Sequence, residues 1–353
     1  MCMQVTSIYK LGILIPVIIF IWHFYTPSDL EAQEKAKRRS SRYLNYDEVE
    51  RLLYEESNLD SALYLCRKIA GVKNIPDDYR QELENNIKLI ENYSDYDRKP
   101  LKLYLQARHL LLLILSGHRS NELPAQQGDS YRELLSQYPR CKLAAFVQYQ
   151  LAWHYVRQIG GGAARQKALA AYREIIENYP AAVFEIWDHP NDYLLGSNMA
   201  PLAQLKIAWL QQSSNRDTAL QVFQAVIDKY PEALDRQKRK LALSAYVSML
   251  MLCTGDDDSN EIVDARKAEE ICHILLDKYP NQEYEIEDWY FGEIHPEALM
   301  RLAKIATDRE KAIGFYKRII KDYPNSQAGK SGSDAVSFYS TLAQGRLNEL
   351  EKE

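Results

Sequence analysis

Cysteine is scarce and never paired at short range: Cys2, Cys66, Cys141, Cys253 and Cys272 are the only five in 353 residues. That spacing excludes a zinc ribbon or a Cys-x-x-Cys redox couple and gives no disulfide framework, so the cysteines of the body read as small buried hydrophobes. Motifs that carry catalysis are missing as well. There is no His-Glu-x-x-His, Gly-x-Ser-x-Gly or phosphate-loop pattern, and the seven histidines are scattered. The glycine run Gly160, Gly161, Gly162 has no strand before it and no Gly-Lys-Ser/Thr after it, so it reads as an interhelix loop. The acidic stretch Asp256 to Glu261 lacks the glycine of a calcium loop and has Lys267 where the terminal glutamate belongs, which makes it a solvated turn. An excess of charge of either sign is also lacking. A net charge of -5 gives no electrostatic reason to expect nucleic acid as a partner, and the basic cluster at Lys238, Arg239 and Lys240 is short enough to be a solvated helix start. Long apolar runs are confined to the amino terminus, since Leu110 to Leu115 is six residues and reads as a buried helix segment.

What the chain does contain is a repeat. Tyrosine-proline pairs stand at Tyr138-Pro139, Tyr179-Pro180, Tyr230-Pro231, Tyr279-Pro280 and Tyr323-Pro324. Counting back from the last four tyrosines, eleven residues lead to Ala168, Ala219, Ala268 and Ala312, and seven lead to Tyr172, Phe223, Cys272 and Tyr316. Aliphatic pairs follow at Ile175/Ile176, Val226/Ile227, Leu275/Leu276 and Ile319/Ile320. These spacings keep the side chains on one helix face, and the proline ends each helix by driving the preceding tyrosine out of the α region.

Small residue, aromatic four later, aliphatic three later and proline after five is a spacing that resembles the second helix of the tetratricopeptide repeat. Ala168, Tyr172, Ile175 and Pro180 fit it, as do the three sets that follow; Tyr131, Leu134 and Pro139 make a fifth copy with Gln127 in place of the small residue. The first helices are less faithful, with Leu299, Met300 and Ala303 aligned in the last repeat and only Ala- and Leu-rich stretches such as Leu143 to Arg157, Pro201 to Leu210 and Leu241 to Leu252 elsewhere. The Tyr-Pro ending is similar to repeats of the bacterial envelope subset, the type of the outer-membrane assembly lipoprotein and the Tol-Pal coordinator. The resemblance implies an all-α solenoid of helical hairpins that binds a protein or peptide and needs no cofactor or metal.

At the amino terminus, Leu11 to Tyr25 is uncharged and ends in Trp22, Phe24 and Tyr25. Extended back to Ile8, with Lys10 snorkelling, residues 8–25 come close to spanning a hydrocarbon core of about 30 Å. No small-x-small cleavage site follows, which favours a single uncleaved transmembrane anchor over a signal peptide. Topology evidence divides. Lys35, Lys37, Arg38, Arg39 and Arg42 after the span place the body in the cytoplasm by the positive-inside rule, as does the cysteine usage. The short head before the run, the late start of the basic cluster and the envelope resemblance place it outside, and the extracytoplasmic (periplasmic) side is the reading taken. The expected organisation is an anchor at 1–28, a charged stalk at 29–42, degenerate helical repeats at 43–124 and the repeat array at 125–353.

Successive Tyr-Pro pairs lie 41, 51, 49 and 44 residues apart, against about 34 for the repeat family, so there are insertions. Two begin alike, with Phe184, Glu185, Ile186 after Pro180 and Tyr284, Glu285, Ile286 after Pro280. Both continue with tryptophan and aspartate (Trp187, Asp188; Asp288, Trp289, then Tyr290) and both reach a His-Pro pair at His189 and His295. One reading makes these eleven residues, Phe184, Glu185, Trp187, Asp188, His189, Tyr284, Glu285, Asp288, Trp289, Tyr290 and His295, a composite surface with aromatic anchors and acids that select a basic or amine-bearing segment. The other makes Phe184, Ile186, Tyr284 and Ile286 plugs between repeats, as aromatics in repeat insertions commonly are. His189 and His295 with Asp188 and Glu293 are the one grouping that resembles a ligand set, and nothing in their spacing demands a metal. Two function classes follow: a membrane-tethered, non-enzymatic interaction scaffold of a cell-envelope assembly, which is favoured, or a ligand-sensing or catalytic protein that uses the insertion loops as its site.

Overall fold

A computed structural model describes residues 46–56, 58–72, 75–93, 98–117, 120, 122–157, 162–184, 196–212, 214–235, 238–255, 262–280, 282–286, 290–329 and 336–352. The expected anchor (1–28, span 8–25) and stalk (29–42) lie outside these. No helix among the described residues is long and apolar enough to cross a membrane. The chain divides into two compact units, one ending at Leu134 and the other starting at Leu135.

In the first unit, α1 (Tyr46–Glu50) runs into a π-helical turn (Arg51–Glu55) and is followed by α2 (Leu59–Ala70), α3 (Asp77–Tyr93), α4 (Arg98–Leu115) and α5 (Leu123–Gln137), which crosses the division. Asn58 starts α2 by accepting the Ser61 amide at 3.2 Å. Leu53, Leu59, Cys66, Leu83, Leu101 and Leu111 form its core. On α5, the irregular Gln127 is buried and donates to the Tyr131 hydroxyl at 3.2 Å, which satisfies the polar group that replaces the small residue of the repeat.

The second unit is a stack of helix pairs: α6 (Ala144–Arg157) with α7 (Gly162–Asn178), α8 (Met199–Gln212) with α9 (Arg216–Lys229), α10 (Leu241–Thr254) with α11 (Ala265–Lys278), α12 (Ile294–Ile305) with α13 (Arg309–Asp322), then α14 (Tyr339–Lys352). From α8 onward, each first helix packs on its partner, on the second helix of the preceding pair and on the neighbouring first helices. The repeated alanine, aromatic or cysteine, and leading aliphatic positions of α7, α9, α11 and α13 are all buried. The second aliphatic of each pair, Ile176, Ile227, Leu276 and Ile320, is only half-buried at the edge of the stripe.

First helices lack such a stripe because they sit between layers. Every residue of α10 from Leu241 to Leu250 is buried, so its apolar residues run all round the helix and give no period. Asn215, Asp264 and Asp308 start α9, α11 and α13 with side chains that accept the amides of Thr218, Lys267 and Glu310. The last helix differs, burying Tyr339, Ala343 and Leu347 four residues apart, with mostly polar residues between them and Leu342 exposed.

The helical architecture is the expected one, with an addition the sequence reading did not contain. Strands β1 (Glu283–Ile286), β2 (Tyr290–Glu293), β3 (Gln327–Gly329) and β4 (Val336–Phe338) form an antiparallel sheet in the order β1-β2-β3-β4. Its central pairing sets Phe291 against Gly329 and Gly292 against Ala328.

Candidate interaction surface

Each insertion begins with the same geometry. The tyrosine before proline adopts φ -131, ψ 48 at Tyr230, φ -129, ψ 53 at Tyr279 and φ -130, ψ 47 at Tyr323, while its amide still donates to the carbonyl four residues back. The helix stops there because proline supplies neither the amide nor the tolerance for an α-conformed predecessor. Three residues after each of the last four prolines the chain enters an antiparallel pairing: Val183 with Asn198, Leu234 with Lys240, Glu283 with Glu293, and Gln327 with Phe338. The returning strand leads directly into the next first helix. That helix's opening amide, at Met199, Leu241, Ile294 or Tyr339, donates to the carbonyl two residues past the proline, at Ala182, Ala233, Gln282 or Ser326. An amide with no intrahelical partner is thereby satisfied four times over.

All four insertions therefore have antiparallel arms at their base, seated at equivalent places. The second is closed by Arg239, whose Nε donates to Asp235 Oδ2 at 2.6 Å, with Lys238 at a φ of 64 in the turn. The basic cluster expected to start a helix also forms the returning arm of this hairpin: Lys240 pairs with Leu234 and is the residue before α10, which begins at Leu241.

Phe184 is 1% exposed, its ring meeting those of Phe146 and Tyr149 on α6 edge-on at 5.9 and 4.9 Å. Tyr284 is 1% exposed beneath the sheet, and Ile286 is 2% exposed. As placed, Phe184 and Tyr284 pack inside the unit and have no face for a partner. His295 is committed too: Nε2 donates to the Leu276 carbonyl at 3.2 Å, so in the neutral ring Nδ1 accepts from the Tyr323 hydroxyl at 3.0 Å. Glu285 and Tyr290 belong to β1 and β2 by backbone; their side chains, and residues Trp187, Asp188, His189, Asp288 and Trp289, lie outside the described residues, as does Glu185.

Two features had no place in the sequence reading. The first is a buried polar chain beneath the sheet. Arg301 Nε donates to Glu297 Oε1 at 2.8 Å, Arg301 Nη1 donates to Thr254 Oγ1 at 3.1 Å and to the Gly255 carbonyl at 3.2 Å, and the Tyr339 hydroxyl donates to Glu297 Oε2 at 2.8 Å. The Tyr284 hydroxyl lies 3.3 Å from that of Tyr339. The ion pair's side chains are only 2% and 3% exposed, so the chain joins α10, α12, α14 and the β1–β2 hairpin and is closed to any substrate. Gly292 is what lets the hairpin lie on it, because a Cβ there would come 2.4 Å from the Tyr339 hydroxyl. Glu297 and Arg301 stand four apart on one helix, a spacing that ordinarily reads as a surface pair. The second feature is a pair of half-buried cation–aromatic rungs, with the Arg157 guanidinium 4.5 Å from the Trp153 ring centre on α6 and Lys206 Nζ 5.0 Å from that of Trp209 on α8. Their spacings of four and three residues were visible in the sequence.

No three metal-ligating side chains assemble among the described residues. Burial pushes the Cys66 thiol up to about 12, and it raises Cys141, Cys253 and Cys272 in the same direction. A thiolate at Cys66 is thus suppressed, and its contribution to stability is complete below about pH 9 and is lost as pH rises toward about 12. Iodoacetamide at pH 8 is expected to leave Cys66 unmodified in the folded chain and to label it fully in urea, as read by peptide mass spectrometry.

A stack of helix pairs braced by antiparallel insertions, with a buried polar chain between them, defines a helical-repeat protein. Residues 202–233 and 297–326 match the model of the tetratricopeptide repeat, a family of protein-protein interaction modules that is generally non-enzymatic. Both matches end two residues past a Tyr-Pro proline. They are the pairs with the shortest turns between helices, whereas α6/α7 and α10/α11 carry longer ones. No curated protein matches the chain.

Proposed function

We propose that this protein is a non-enzymatic scaffold held at a membrane by residues 8–25, with residues 135–353 gathering a protein or peptide partner in an envelope assembly on the extracytoplasmic side. The observation that carries the reading is the hairpin repeated three residues after each of four prolines. The two insertions whose sequences contain Trp187 and Asp188, and Asp288, Trp289 and Tyr290, both begin in this way, which supports reading them as one partner surface. In this reading Phe184, Tyr284 and His295, which are packed or hydrogen-bonded within the unit, support the surface from inside. Tethering raises the local concentration of whatever the hairpins hold.

Two measurements test it together. A reporter active on only one side of the membrane, fused after Glu353 in the full chain, is expected to give an extracytoplasmic signal with the protein in the membrane fraction. In the same cells, a photocrosslinker at Trp187 or Trp289 is expected to capture a protein, and one at buried Tyr172 is not. A cytoplasmic signal would refute the envelope placement. Equal capture from all three positions would refute the hairpin surface.

A further inference from the structure

The sheet has two unlike edges. In β1, the Ile294 amide donates to the Gln282 carbonyl, and the antiparallel alternation then turns the backbone groups of Glu283 and Glu285 outward. That edge carries two acids, the usual protection against stray pairing. At the other edge, the Tyr339 amide donates to the Ser326 carbonyl at 2.9 Å, so Ser337 and Tyr339 bond inward to β3 while the amides and carbonyls of Val336 and Phe338 face outward. Val336, Ser337 and Phe338 bear no charge, and among the described residues the sheet ends at β4. Phe338 is 41% exposed, as is Leu342 one turn into α14, and they are among the few large apolar side chains so exposed in the described residues.

β4 is the returning strand of its hairpin, as β2 is of the one before. β2 is covered on its far side by β3, with small residues Ala328 and Gly329 opposite Gly292 and Phe291. The molecule therefore shows within itself how the outer side of a returning strand is satisfied.

We propose that β4 is a self-association edge, at which two copies of this chain pair β4 with β4 antiparallel about Ser337. A two-fold axis through Ser337 sets Val336 of one copy opposite Phe338 of the other, and these are the residues whose amides and carbonyls point outward. Four hydrogen bonds form without moving either backbone, Ser337 meets Ser337 at the small central position, and Phe338 and Leu342 of both copies are brought to the seam. The interface is isologous and closes as a dimer, and the acids of β1 keep the opposite edge from extending it into a fibre. With three strand residues and two apolar side chains per copy the association is weak and strengthened by confinement to one membrane.

The test uses the full chain in detergent, followed by sedimentation equilibrium under reducing conditions. A monomer–dimer equilibrium is expected, with Phe338→Lys weakening it at least about tenfold by placing a charge on the edge. Because Phe338 is exposed, the variant's thermal melt should stay unchanged, which separates lost pairing from lost folding. Mild oxidation of Ser337→Cys should give a covalent dimer, since facing residues at a non-hydrogen-bonded site lie about 4.5 Å apart, whereas Asn348→Cys on the outer face of α14 should not. A chain that stays monomeric at every concentration overturns the proposal. So does a Phe338→Lys chain that dimerises as strongly as the unaltered one, or a Ser337→Cys chain that crosslinks to a foreign protein instead of its own copy.

Discussion

Replacing Arg301 by alanine is expected to cost about 3–5 kcal/mol of stability in residues 135–353, because it leaves the Glu297 carboxylate buried without the cation it is paired with. The pair itself is not the source of that loss. Desolvating two charges offsets most of their attraction, so the double change Glu297→Gln with Arg301→Met should recover most of the stability lost by the single one. Urea unfolding of the single variants, the double variant and the unaltered chain separates the two effects as a thermodynamic cycle. What the pair adds is register: Arg301 holds Thr254 and Gly255 at the end of α10, and Glu297 holds Tyr339 at the start of α14, whose hydroxyl in turn meets that of Tyr284 in β1. Loss of Arg301 should therefore raise amide exchange in β1 and β2 as well as in α12.

Phe184→Ala is the second change with a large expected effect, about 3–5 kcal/mol, because a ring lying on Phe146 and Tyr149 would leave a cavity between the first insertion and α6. The same experiment separates two roles for this residue. A packing residue loses stability and, at a temperature where the array stays folded, keeps its partner. A contact residue does the reverse, with an unchanged melt and lost capture. Burial at 1% predicts the first outcome, and Trp187→Ala is the contrasting variant, expected to keep the melt and lower capture.

Second helices could be read from the sequence almost residue by residue. Ala219, Phe223 and Val226 mark one buried stripe of α9, Asn215 caps its start and Pro231 stops it, all of which is local physics with a helical period. The first helices could not be read in that way. α10 is covered by α8, α9, α11, α12 and β1, so selection acts on every side of it and the period disappears into a run of apolar residues. The hairpins were half legible. Likeness between the insertions after Pro180 and Pro280 marked two of the places but not their strands, whereas the one from Leu234 to Lys240 is too short and too basic to resemble them, and only its pairing shows the likeness.

By itself the sequence determined the repeat: helix faces, caps and proline stops act over fewer than a dozen residues, so their spacing carries the geometry. Only the tertiary structure decided the fate of side chains whose partners lie farther away. Glu297 and Arg301 have the spacing of a solvent-exposed pair and become a buried lock because α10, α14 and the sheet close over them. Phe184 and Tyr284 have the look of ligand anchors and become plugs for the same reason. Val336 to Phe338 is an undistinguished tripeptide until β3 takes its inner hydrogen bonds and leaves an outer set unpaired by any other strand of the sheet. Burial is a property of what folds over a residue, and a spacing along one helix or strand does not contain it.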